Sequence, residues 1–203
     1  MQMRQLTTRD NVNVVMLHGI RSRDSMETIG RLRSFFIGRS INPYMFDYGY
    51  LSIFTRFRNN SLAKDLAAYI KTLDGIVIVI GYSNGCPITH IAAQKYGAKI
   101  DKAVYINPSL DSDVDIPANI KWMDVWHSPS DMAVKFGALR PFHLWGAMGA
   151  YGYRGDSNNY TNYNKAIDFD LMSLSHTSTW ERDIIEYFGG QIADKTLVLK
   201  SFK

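Results

Sequence analysis

The stretch from Gly75 to Gly85, GIVIVIGYSNG, constrains the fold more than any other part of the sequence. Its β-branched run, Ile76 to Ile80, predicts a buried strand, and the sequence ITHIAAQKYG that follows the stretch predicts a helix. Residues 81–85 between them match G-x-S-x-G, in which glycines leave room for a sharp strand-to-helix turn. We therefore expect Ser83 at the tip of this turn, above the edge of a sheet.

Strand-like and helix-like stretches alternate along the chain. Further strands are predicted at Val12 to Leu17, Asn42 to Tyr48, Lys102 to Ile106 and Ile120 to Trp126. Amphipathic helices are predicted between them, from Ser22 to Ile37 and from Asn60 onward. This alternation favours an α/β fold, a three-layer sandwich with a mainly parallel central sheet of about five to six strands. Functional groups in such sheets gather at the carboxyl ends of the strands.

Composition narrows the class of protein. The 203 residues fit a single domain, which we expect to span 1–203. The net charge of +4 is spread along the chain, so no nucleic-acid partner is predicted. We find no readable signal peptide or membrane span, and we expect a cytoplasmic protein. No metal-ligand spacing is present, and Cys86 is interpreted as a packing residue, so no metal is predicted.

The chain after the last of these strands has a different character. Residues 136–164 are rich in Gly, Tyr and Asn without a clear period, which predicts a long insertion that acts as a lid or substrate wall. A strand is expected to follow at Ile167 to Leu171, and a last helix at Thr179 to Phe188. We expect Gly189 and Gly190 to end that helix.

A serine hydroxyl becomes an effective nucleophile when a histidine takes its proton and a carboxylate orients the histidine. Of the five histidines, His176 is the candidate base, because it lies in a loop before the predicted last helix. The others have competing assignments: His18, His90, His127 and His143. Asp131 is the candidate acid, since the order Ser83, Asp131, His176 matches the chain order of this triad class.

Other carboxylates stay open as alternatives for the acid: Asp111, Asp113, Asp115, Asp124, Asp168 and Asp170. An oxyanion formed at Ser83 needs two backbone N–H donors, and we assign these to Asn84 and Ile20. The remaining residues proposed to shape the substrate site are His18, Gly19, Tyr82, Trp145, Tyr151 and Tyr153.

Four short motifs occur in order: LHGI at 17–20, GYSNG at 81–85, PSD at 129–131 and LSH at 174–176. In this combination the sequence resembles the α/β-hydrolase family, as a minimal member similar to small lipases and cutinases. The resemblance implies a Ser/Asp/His triad, no cofactor, and hydrolysis of small-molecule carboxylic esters through an acyl-enzyme on Ser83. The sequence departs from the family at its short start and at Cys86-Pro87 after the turn.

Other functions fit the same residues. A thioesterase, an acyltransferase or an amidase would use the same triad, because only the acceptor or the leaving group differs. A protein of another class, a binding module on a hydrolase fold, would use the aromatic segment 136–164 as its contact surface. The sequence predicts no oligomeric state.

Overall fold

In the part of the chain that the structure describes, six strands form one sheet in which every neighbouring pair is parallel, in the order β2-β1-β3-β4-β5-β6. They are β1 (Val12–Leu17), β2 (Asn42–Met45), β3 (Ile76–Tyr82), β4 (Lys102–Ile106), β5 (Met123–His127) and β6 (Tyr160–Asn164). The computed structural model describes residues 11–20, 28–37, 39, 41–50, 53–138, 145–164 and 189–195. The predicted parallel sheet of an α/β fold is confirmed.

Helical layers cover both faces of the sheet. Helices α2 (Asn59–Ile70) and α3 (Gly85–Tyr96) pack on one face, where Leu66 and Ala92 join a core with Val79. The other face is covered by a 3-10 turn (Ile29–Leu32), α1 (Arg33–Phe36) and the helical residues 189–195. Alternate residues of each strand enter one core or the other, as expected when both faces of a parallel sheet are buried.

Element ends differ from the predictions where tertiary contacts decide them. Strands β1 and β4 have the predicted bounds, whereas β5 begins only at Met123 and Ile120 forms an isolated bridge with Ile100. A 3-10 turn, Ile53–Arg58, leads directly into α2. Asn60 and Ser61 therefore lie inside the first turn of α2 and do not cap it.

The segment 136–164 is not a loop throughout. Helix α4 (Met132–Gly137) ends in its first residues, α5 (Met148–Tyr151) is a single turn, and β6 occupies 160–164. The prediction of a loop-like insertion as far as residue 164 is therefore wrong for the last five residues. These residues form a half-buried strand paired with β5, although their sequence is polar. The role of the segment as a lid stays a prediction.

The carboxyl-terminal prediction is wrong at the two glycines. Residues 189–195 are helical, so Gly189 and Gly190 lie at the start of the described helical segment and do not end a helix. The predicted strand at Ile167–Leu171 and helix at Thr179–Phe188 fall outside the described residues. Within the part of the chain that is described, no helix has the length and apolar character needed to cross a membrane.

A buried lysine joins strands β4 and β5 and also contacts the helical residues 189–195. Lys102 Nζ lies 2.6 Å from Asp124 Oδ2 on the neighbouring strand and donates a hydrogen bond of 2.7 Å to the carbonyl of Lys195. Burial raises the pKa of Asp124, and the Lys102 ammonium opposes that shift. Both side chains are almost fully buried, so each charge depends on the other.

Lys102→Met should therefore lower the free energy of unfolding by about 3–5 kcal/mol, because it leaves a buried carboxylate without its cation. Urea denaturation measures the loss. The double variant Lys102→Met/Asp124→Leu is the control and should recover most of the stability, since it removes both charges. A loss under about 1 kcal/mol in the single variant would show that the pair is not buried as described.

His90 on α3 is a second buried polar group. Among the described residues its Nδ1 has no hydrogen-bond partner, and burial lowers the pKa of its imidazole to about 4 against the opposing effect of Asp115. The folded state therefore holds His90 neutral at pH values where the unfolded chain already binds a proton.

Stability should consequently fall as the pH drops from about 6.5 to about 4, by up to about 3 kcal/mol from this residue. Below that range both states are protonated and the contribution levels off. Chemical denaturation across pH, compared with His90→Phe, isolates the effect because the other groups titrate in both proteins. Parallel stability curves for the two proteins would contradict the assignment.

Candidate active site

Ser83 lies at the turn between β3 and α3 with a backbone φ of 51°. A positive φ is uncommon for a residue with a side chain, and it persists only where the surrounding structure enforces it. The residue is 6% exposed, at the carboxyl edge of the sheet. The strand, turn and helix predicted around Ser83 are all present.

Three glycines make this turn possible. A Cβ on Gly81 would lie 2.9 Å from Cys86 N, and one on Gly85 would lie 2.7 Å from the carbonyl oxygen of Leu17. A Cβ on Gly19 would lie 3.0 Å from Ser83 Cβ. The turn and the loop after β1 thus touch with no space for a side chain between them.

Backbone hydrogen bonds fix the turn to the end of β4. Ser83 N donates to the carbonyl of Ile106 at 2.9 Å, and Ser109 N donates to the carbonyl of Ser83 at 3.4 Å. Beneath the turn, Cys86 Sγ donates to the carbonyl of Gly81 at 3.1 Å, and burial raises the pKa of its thiol. Cys86 therefore stays a neutral packing residue, as predicted from the sequence.

Asp131 is fully buried at the start of α4. Its Oδ1 accepts a hydrogen bond of 3.0 Å from Val134 N, which caps the helix, and its Oδ2 accepts one of 2.7 Å from Asn107 Nδ2. Asn107 follows β4 with a φ of 47°. The sequence analysis assigned no role to Asn107. The available signal was an asparagine directly after a buried strand, because asparagine tolerates a positive φ.

The loop after β1 is held by aromatic and polar contacts. His18 is buried, its ring stacks on Tyr48 with centroids 3.9 Å apart, and its Nδ1 lies 2.8 Å from the carbonyl oxygen of Gly19. The Nε2 atom of His18 lies 3.3 Å from Asp47 Oδ1. His18 thus braces its own loop, and its place in an oxyanion loop stays a prediction.

Solved structures share this arrangement of strands and helices. A protein assigned to the α/β-hydrolase superfamily from Xanthomonas campestris pv. campestris superposes with a TM-score of 0.56 at 13% identity, covering 95% of this chain and 100% of its own. Est1E from Butyrivibrio proteoclasticus superposes with a TM-score of 0.58 at 11% identity, covering 95% and 88%. The chain has the α/β-hydrolase fold.

A cutinase-like protein from Cryptococcus sp. shares the α/β-hydrolase fold with this chain at a TM-score of 0.55 and 12% identity, covering 94% and 97% of the two chains. No protein-family model matches the sequence, and no curated protein matches it either. The resemblance inferred from the motifs is therefore confirmed at the level of the fold.

Within this α/β-hydrolase fold, the residues predicted to line the substrate site separate into two groups. Tyr82 and Tyr153 are buried in the two cores, so we assign them to packing. Tyr151 is half-exposed, with Lys135 Nζ and the Arg154 guanidinium 5.6 and 5.0 Å from its ring centroid. Trp145 packs against Gly137.

The aspartates that the sequence left open as alternatives to Asp131 lie in different surroundings. Asp124 is engaged by Lys102 in the buried ion pair, and the side chains of Asp111, Asp113 and Asp115 are exposed on the loop after β4. Among the described residues, Asp131 is the buried aspartate that follows β5. Its carboxylate accepts hydrogen bonds from Asn107 and Val134. His176, His143, Asp168 and Asp170 lie outside the described residues, and the described part contains no cluster of three metal-ligating side chains.

Gly85→Ala should disrupt the turn, because the added methyl group would meet the Leu17 carbonyl at 2.7 Å and force the backbone to shift. We expect the free energy of unfolding to fall by about 1–3 kcal/mol. Gly190→Ala is the matched control: its Cβ would meet no atom of the described residues within 4 Å, so the change should be neutral or slightly stabilising in a helix. Equal effects of the two substitutions in urea denaturation would refute the tight turn.

Proposed function

We propose that this protein is a serine hydrolase that cleaves carboxylic esters through an acyl-enzyme on Ser83, with Asp131 and His176 completing the triad. The observation that carries the proposal is the positive φ of Ser83 at the strand-to-helix turn, between glycine positions that admit no side chain. This is the geometry that presents a serine Oγ to a substrate in the nucleophile elbow of such enzymes.

In this mechanism Ser83 Oγ attacks the ester carbonyl carbon while His176 takes the hydroxyl proton. The carbonyl π bond opens, and the negative charge on the resulting oxyanion is stabilised by the backbone N–H groups of Ile20 and Asn84. The intermediate collapses, the alcohol leaves with the proton from His176, and Ser83 is acylated. Water then repeats the sequence and releases the carboxylic acid.

Asp131 would orient His176 and stabilise its imidazolium form. The hydrogen bonds from Asn107 and Val134 hold the carboxylate of Asp131 in one position, which supports this role. A fixed carboxylate limits the histidine to one orientation, and such positioning contributes strongly to rate. Asn107 is then a positioning residue that acts through Asp131.

Tyr151 and Trp145 are proposed as part of the substrate wall, because neither is packed into the two cores. Small-molecule acyl esters are the proposed substrates. The esterase domain of a Rhodothermus marinus protein is a further structural neighbour, at a TM-score of 0.53, and is in keeping with an ester substrate.

Purified protein should hydrolyse p-nitrophenyl acetate and butyrate, and fluorophosphonate should label Ser83. In Ser83→Ala both should disappear, with kcat reduced by at least about a thousandfold, since the nucleophile is gone. His176→Ala should lose a similar factor. Ser34→Ala, at an exposed serine of α1, is the control and should keep full activity. Turnover that survives in Ser83→Ala, or a label found elsewhere, would refute the proposal.

A further inference from the structure

Tyr48 lies just after β2 and touches both segments that meet at Ser83. Its hydroxyl donates a hydrogen bond to the backbone carbonyl of His18, in the loop after β1, while its ring stacks on the His18 imidazole. The side chain of Asn84, the residue that follows Ser83, interacts with the same phenol and opposes the rise in its pKa that burial causes. One phenol group therefore links the loop after β1 to the start of α3.

The Asn84 side chain is held from its other side by Asn59. The two amides form a reciprocal pair in which Asn59 Nδ2 donates to Asn84 Oδ1 and Asn84 Nδ2 donates to Asn59 Oδ1, each at 2.9 Å. Both residues are buried. Two hydrogen bonds in opposite directions fix the amide plane of Asn84, so its side chain gives Tyr48 a stationary partner.

The peptide between Gly19 and Ile20 is also fixed. A carbonyl oxygen only accepts hydrogen bonds, so the contact of 2.8 Å between His18 Nδ1 and the Gly19 carbonyl requires the proton on Nδ1. In a trans peptide the N–H points opposite to the C=O. Ile20 N–H is thus directed away from the His18 ring, on a loop whose Gly19 lies against Ser83.

We propose that Tyr48 is a positioning residue that sets the spacing between the two backbone donors of the oxyanion, Ile20 N–H and Asn84 N–H. The inference rests on the proposed function, in which those two groups bind the oxyanion. Asn59 acts with Tyr48 by holding Asn84. Tyr48 itself does not touch the substrate.

The protonation of Tyr48 suits this role. Burial raises the pKa of its phenol well above the usual range, so the hydroxyl keeps its proton and remains a donor to His18 at neutral pH. The contribution of Tyr48 should therefore be independent of pH.

Tyr48→Phe keeps the ring and its stacking on His18 but removes the link between the two segments. An error of about 1 Å in a catalytic group can cost a hundredfold in rate, so we expect kcat for p-nitrophenyl butyrate to fall by about ten- to a hundredfold with KM changed less than about twofold. The inhibition constant of an alkylboronic acid, which forms a tetrahedral adduct on Ser83, should rise by a similar factor.

Tyr69→Phe is the matched control. Tyr69 is another partly buried tyrosine packed against the same core, with its ring 6.3 Å from that of Phe46, and it has no contact with the turn in the structure as described. Removing the Tyr69 hydroxyl should leave kcat and the boronate inhibition constant unchanged. Asn59→Ala serves as a second variant and should lower kcat in the same direction with KM unchanged, because Asn84 loses its other anchor.

A Tyr48→Phe protein that is folded and has the kcat and boronate affinity of wild type would overturn the inference while leaving the proposed function intact. A loss that appears in KM alone, with boronate affinity unchanged, would also overturn it, since it would place Tyr48 in substrate binding. If wild-type protein shows no Ser83-dependent hydrolysis and no label on Ser83, the proposed function fails and this inference fails with it.

Discussion

The close approach of three backbone segments around Ser83 is the constraint on which the rest of the site depends. The loop after β1, the turn after β3 and the start of α3 meet where Gly19, Gly81 and Gly85 leave no space for a Cβ. A serine forced to positive φ at this contact has few conformations available. The backbone around the sheet edge therefore decides the position of Ser83, so little further ordering of this residue is needed when a substrate binds.

Polar side chains then connect this contact to the rest of the carboxyl edge. On one side Tyr48 and Asn59 hold the loop after β1 and Asn84, and on the other Asn107 holds Asp131 beyond the end of β4. The hydrogen bonds of Asn59 and Asn107 are buried and that of Tyr48 is partly buried, so each is stronger than in water and an unpaired partner is costly. An arrangement of this kind favours a rigid site on rigid elements, which is what transition-state stabilisation by fixed dipoles requires.

Much of this architecture could be read from the sequence, because it depends on local patterns. The β-branched run at Ile76 to Ile80 followed by G-x-S-x-G predicted the strand, the turn and the helix correctly. Strand β6 was not predicted, because the sequence YTNYN has no alternation of apolar and polar residues. The strand is formed by its pairing with β5. The prediction that Gly189 and Gly190 end a helix was wrong because glycines mark helix ends only statistically, and residues 189–195 are helical.

The sequence by itself determined the fold class, the parallel sheet and the placing of Ser83 and Asp131 after strands, because residue periodicity and turn glycines act between neighbours in the chain. Only the tertiary structure decided that Asn107 binds Asp131, that Lys102 pairs with Asp124 and that Tyr48 binds the His18 carbonyl. Those partners are separated along the chain, and they meet because strand order and register bring them together, which no local pattern encodes.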